Sequence, residues 1–122
     1  MKISSLTALL SLLIFFSLSF ANEADVLKAK ATCNKNRICS FKVTIKHTDK
    51  NWNHYVNGYE ILTLANKRLA KRTLHHPHIN EQPFTRSISG VKIPINIDKV
   101  IVRAHDLIHG NGGKEVVLKL FD

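Results

Sequence analysis

Residues that carry chemistry on their own are scarce here: the 122 residues hold two Cys, one Met, one Trp, two Tyr, five Gly and three Pro, and 9 Asp and Glu stand against 18 Lys and Arg. A chain of this length makes one domain at most, too small for a large cofactor-binding enzyme fold. No Gly-x-Ser-x-Gly elbow is present, and Glu60, Glu81 and Glu115 are not spaced as a recognisable acid pair. No catalytic residue is therefore expected. There is no internal repeat, low-complexity tract or linker.

The longest apolar run, residues 6–20, is 15 residues long. It falls short of the ~20 needed to cross a bilayer as a helix, and no basic stop-transfer cluster follows it. Lys2 before it and small residues at Ser19 and Ala21 give residues 1–21 the layout of a secretory signal peptide, with cleavage expected after Ala21. No Cys lies just past that point, so no lipid is expected on the new N-terminus. The expected mature domain is residues 22–122, periplasmic or secreted, without a transmembrane span. It carries 17 Lys and Arg against 9 Asp and Glu, a net +8, since only Lys2 is lost.

Export places the two cysteines in an oxidising compartment. Cys33 and Cys39 flank the polar turn Asn34-Lys35-Asn36-Arg37-Ile38 between two segments of strand character, which suits a structural disulfide across a hairpin end. A redox motif would usually show two intervening residues, and here there are five.

Period-2 alternation runs through the mature chain. The clearest case is residues 38–47, where Cys39, Phe41, Val43, Ile45 and His47 share one face and Ser40, Lys42, Thr44 and Lys46 the other. Further strands are expected over residues 26–32, 58–64, 69–76, 84–91, 99–105 and 115–121. Residues 61–74 also fit a helical period, but aromatic and β-branched content favours strands there. Seven short strands with regular turn signals make an all-β, antiparallel sandwich of immunoglobulin or fibronectin type III topology.

In such a fold the connections alternate between two poles. The second-to-third, fourth-to-fifth and sixth-to-seventh connections share one pole, and all seven histidines fall there: His47, His54, His75, His76, His78, His105 and His109. In His76-Pro77-His78, residues two apart in an extended chain project to one side, so both imidazoles can address one ion. His105 and His109 bracket a turn. The candidate ligands are thus His54, His76, His78, His105 and His109, with Asp106 in an outer role, orienting an imidazole through its second nitrogen. His47 and His75 read as structural, one continuing a core face and the other pointing away from His76. A hydrogen-bonded cluster or a site for a non-metal ligand remain as alternatives.

With the cysteines bridged and the Met removed, soft sulfur ligands are missing, which argues against a Cu(I) carrier. Imidazoles with a carboxylate suit copper(II) or zinc(II), and copper comes first on raw affinity. Lys67, Arg68, Lys71 and Arg72 form the densest basic group, a candidate surface for an envelope protein or an anionic polymer. No aromatics interleave with it, which weakens a nucleic-acid reading. Lysine and arginine on a solvated sheet edge equally discourage edge-to-edge pairing.

The segment His76-Pro77-His78-Ile79-Asn80-Glu81-Gln82-Pro83-Phe84-Thr85-Arg86-Ser87, with Trp52-Asn53-His54-Tyr55 and Ala104-His105-Asp106, resembles an uncharacterised family of small exported bacterial proteins. The resemblance implies a compact β-sandwich with the same motif histidines and brings no reaction or ligand. The cysteine pair and the basic fourth-strand turn depart from the family's usual pattern.

Overall fold

The computed structural model describes residues 22–122; the signal-peptide assignment of residues 1–21 lies outside them. Seven strands follow one another: β1 (Asp25–Cys33), β2 (Ile38–Lys46), β3 (Val56–Leu62), β4 (Arg68–Thr73), β5 (Phe84–Lys92), β6 (Lys99–Asp106) and β7 (Val116–Lys119). They form two antiparallel sheets, ordered β1-β2-β5 and β4-β3-β6-β7, with no helix among the described residues. The fourth strand sits beside β3, the fibronectin type III order, and not beside β5 as in a constant-type immunoglobulin domain.

Alternation dictates which side chains meet between the sheets. From β2 come Cys39, Phe41, Val43 and Ile45, from β3 Tyr59 and Ile61, from β5 Phe84 and Val91, and from β6 Val100, Val102 and Ala104, all at 5% exposure or less. Tyr59 donates its hydroxyl to the Arg86 carbonyl at 3.1 Å, which satisfies the one polar atom it brings inside. Residues 61–74, ambiguous in sequence, form a β-hairpin turning at Asn66, whose φ of 66° no helix interior allows.

Cys33 and Cys39 face each other in register at the β1–β2 hairpin end and are bridged. That hairpin end and the Thr63–Lys67 turn lie at one pole, and the connections carrying the histidines lie at the other. The glycine-rich segment before β7 is tied down. The Val26 amide donates to the Lys114 carbonyl and the Lys114 amide to Asp25, and a Cβ on Gly113 would sit 1.8 Å from the Ala24 carbonyl oxygen. Only glycine allows β1 to enter the sandwich so close to that segment.

Candidate metal centre

At the histidine pole the two inward faces run past the end of the apolar core. One step beyond Ile45, the inward face of β2 carries His47; one step beyond Ala104, that of β6 carries Asp106. The strands belong to opposite sheets, so the two side chains converge over the core, buried at 2% and 0% exposure. His54 folds back between them from the β2–β3 connection. A tight turn holds it there: the Lys50 amide donates to the His54 carbonyl, the His54 amide to Asn51, and the Asn53 amide to Asn51 Oδ1.

The three meet through specific atoms. His47 Nε2 lies 3.3 Å from His54 Nε2 and 3.7 Å from Asp106 Oδ2, while His54 Nε2 lies 3.6 Å from Asp106 Oδ1. One donor atom from each falls within 4.8 Å of the other two. These three residues can hold a metal ion, His47 and His54 as imidazole ligands and Asp106 as a carboxylate.

Outer contacts set the tautomers. Asp49 is also buried; its Oδ1 lies 2.5 Å from His47 Nδ1 and accepts the Val56 amide, and its Oδ2 accepts the His78 amide at 2.7 Å. Burial pushes the Asp49 carboxyl up, but the His47 ring and the His78 and Val56 amides outweigh it and hold the group below the ordinary carboxylate value. An ionised Asp49 makes His47 Nδ1 the donor, which in the neutral imidazole leaves Nε2 with its lone pair turned toward His54 and Asp106.

Asp106 is less satisfied. Its Oδ1 accepts the Ile108 and His109 amides, yet its buried Oδ2 has no hydrogen-bond partner among the described residues, and neither has the buried Nδ1 of His109, 3.4 Å from Asp106 Oδ1. The ionic partners of both buried carboxylates are histidines. A buried ionised carboxylate needs a compensating charge, which a bound cation would supply.

His54 and Asp106, both expected at the site, belong to the group, but Asp106 supplies a donor atom and Asp49 takes the orienting role expected of Asp106. His47, read as structural from sequence, is a member. His105 lies outside it: β6 parity that turns Asp106 inward turns His105 outward, where its Nδ1 meets Asn57 Oδ1 at 2.6 Å. His109 borders the group on a turn closed by paired Asp106 and Gly110 backbone bonds, with Gly110 at φ 64°.

His76 and His78 lie outside the group, and the chain bends at His76 and does not run extended through Pro77. The His76 ring is exposed, 4.7 Å from that of His78. His78 is buried, stacked on Phe84 at 4.2 Å, with Nδ1 3.7 Å from Asp49 Oδ2. Burial, and then the nearby Arg86 and His76 charges, push its pKa down. The motif around it works as scaffold: Gln82 accepts the His47 amide and donates to the His78 carbonyl, and Glu81 pairs with Arg86 at 2.8 Å.

The basic group does not form one surface. Lys71 and Arg72 are consecutive in β4 and project to opposite faces. Arg72 bonds the Ser87 carbonyl of the other sheet, while Lys71 stands in register with Glu60, which Arg103 flanks on its other side. Lys67 and Arg68 are exposed where the edge strand begins.

No protein-family model and no solved structure matches the chain. It is 36% identical over 96 residues to a protein of Halomicrobium mukohataei described as a "putative lipoprotein", an alignment covering 79% of this chain and 47% of the relative. The chain spans about half the length of the curated relative it matches.

Proposed function

We propose that this is an exported, non-enzymatic metal-binding β-sandwich that holds one copper(II) or zinc(II) ion between His47, His54 and Asp106. The observation that carries the reading is the fully buried Asp106 carboxylate, which keeps one oxygen free of any hydrogen bond while facing two imidazole Nε2 atoms. A divalent ion would satisfy that oxygen and both lone pairs at once, and its charge of +2 would balance Asp49 and Asp106 together. The name of the relative supports a place in the cell envelope. A cavity of about 660 Å3 between Leu64, Leu69, Pro94 and Ile97 opens at the opposite pole, away from the histidines. Calorimetric titration of the protein with zinc(II) and with copper(II) tests it: one ion per chain, lost in His47→Ala, is expected, and no binding of either ion would end the proposal.

A second reading, a docking module of the envelope, is favoured by the apolar side chains exposed at the same pole. Trp52 is 65% exposed against Tyr55, and Ile79, Leu107 and Ile108 stand out on the neighbouring connections. Envelope partners captured equally with and without a chelator, and lost on Trp52→Ser, would support it.

A further inference from the structure

The geometry points to a closed tetrahedral centre for zinc(II), with His109 as the fourth ligand. This inference rests on the metal-binding reading above and adds the coordination number, the ion and the residue that completes the site.

Donor spacing discriminates between the ions. Bonds of about 2.0–2.1 Å at tetrahedral angles place any two donors about 3.3–3.4 Å apart. A square-planar copper(II) site with similar bonds needs neighbouring donors at about 2.8–3.0 Å and opposite ones near 4 Å. The separations here are 3.3 Å for His47 Nε2 to His54 Nε2, 3.6 and 3.7 Å from these nitrogens to the Asp106 oxygens, and 3.4 Å for His109 Nδ1 to Asp106 Oδ1. The two imidazole nitrogens lie at the edge of a tetrahedron, and none of the four separations is as short as the edge of a square. The Asp106 distances run to different oxygens, Oδ2 for His47 and Oδ1 for His54 and His109, and one oxygen together with His47 Nε2 and His54 Nε2 falls within 4.8 Å. Packing holds His47 and Asp106 in place, because each sits at the end of a core-facing row and is buried.

A tetrahedral ion on three protein donors leaves one position, and two observations assign it to His109. Its Nδ1 is buried without a hydrogen-bond partner among the described residues, an uncommon state for a ring nitrogen on a surface turn, and it already faces the Asp106 oxygen nearest His54. Its ring centroid is 5.2 Å from that of His54. The side chain is about a quarter exposed and turns inward from the Asp106–Gly110 turn, whose paired backbone bonds fix its Cα beside the group. Three histidines and one aspartate then complete the coordination of the ion. The ion would fasten the β2–β3 connection to the end of β6 and the β6–β7 turn, with no position left for a substrate.

Cobalt(II) titration followed by visible absorption, together with zinc(II) calorimetry, tests this on wild-type protein, His109→Ala, the milder His109→Gln and the neighbouring control His105→Ala. Wild type and His105→Ala should give the intense visible bands of four-coordinate cobalt. Both His109 variants should lose that intensity and bind zinc more weakly by at least the 10–100-fold that removal of an outer partner produces. Weak six-coordinate bands in wild type, or unchanged zinc affinity in folded His109 variants, would overturn the assignment while leaving ion binding by His47, His54 and Asp106 intact. If wild type binds neither zinc(II) nor copper(II), the metal-binding reading falls and this inference with it.

Discussion

Asp49 Oδ1 lies 2.5 Å from His47 Nδ1, and the same carboxylate receives the backbone amides of Val56 at the start of β3 and of His78 in the β4–β5 connection. One buried side chain therefore fixes an imidazole and ties its own β2–β3 connection to the start of β3 and to the β4–β5 connection. In Asp49→Asn one acceptor becomes an NH2 group facing a donor. Stability should fall by roughly 2 kcal/mol, the penalty of buried donors left unpaired. Zinc affinity should fall about 10–100-fold, because His47 loses its fixed orientation. Urea unfolding and calorimetry on the variant measure the two effects separately, and an affinity equal to wild type would show that Asp49 does not orient the ligand.

The second prediction separates the histidines by position. His54→Ala and Asp106→Asn should abolish tight ion binding, whereas His76→Ala and His105→Ala should leave it within a few-fold of wild type, since one ring is exposed and the other turns to Asn57. Thermal melting offers an independent readout. Zinc at about 100 times its dissociation constant adds roughly 2.7 kcal/mol to folding, which for a domain of this size raises Tm by roughly 10–20 °C. Equal thermal shifts in all four variants would place the ion elsewhere.

The strand alternation that predicts the sandwich also contains much of the site. Cys39, Phe41, Val43, Ile45 and His47 share a face in the sequence, and the same parity in β6 sets Asp106 with Val100, Val102 and Ala104 and turns His105 away. Membership of a core face suggests a structural His47, yet at the end of a strand that face leaves the apolar layer and enters the pole. What alternation does not supply is the path of a connection. His54 returns to the interior through backbone bonds around Asn51, and beyond the bend at His76 the exposed His76 ring lies beside the buried His78 ring, both outside the group. Neither leaves a periodic signal, because the first rests on a tight local turn and the second on a contact far apart in sequence, His78 to Asp49.

The disulfide gives a third prediction, independent of the histidines. Cys33 and Cys39 enclose a short loop at the pole opposite the metal centre. A loop this short restricts the unfolded chain by roughly 2 kcal/mol in the chain-entropy model. The Cys33→Ala/Cys39→Ala double variant should lose about that much stability in urea and keep its zinc affinity, because sites this far apart add independently. A loss of affinity along with stability would show that the poles are coupled.

Tyr59 gives a prediction about alkaline pH. Burial pushes its phenol up from 10.0 to about 12, against a smaller downward pull from the Arg72 charge, and its hydroxyl donates to the Arg86 carbonyl. A folded-state pKa above the unfolded one means that the native protein holds its proton more tightly. The stabilisation is therefore fully present below about pH 10 and is lost as pH rises toward 12. A shift of this size corresponds to roughly 2–3 kcal/mol. Stability from urea unfolding at pH 8, 10 and 11.5 should fall more steeply for wild type than for Tyr59→Phe. The variant itself should be about 1 kcal/mol weaker at pH 8, for want of the bond to Arg86. Parallel curves would mean that the phenol titrates alike in the folded and unfolded chain, and that the space between the sheets around Tyr59 admits water.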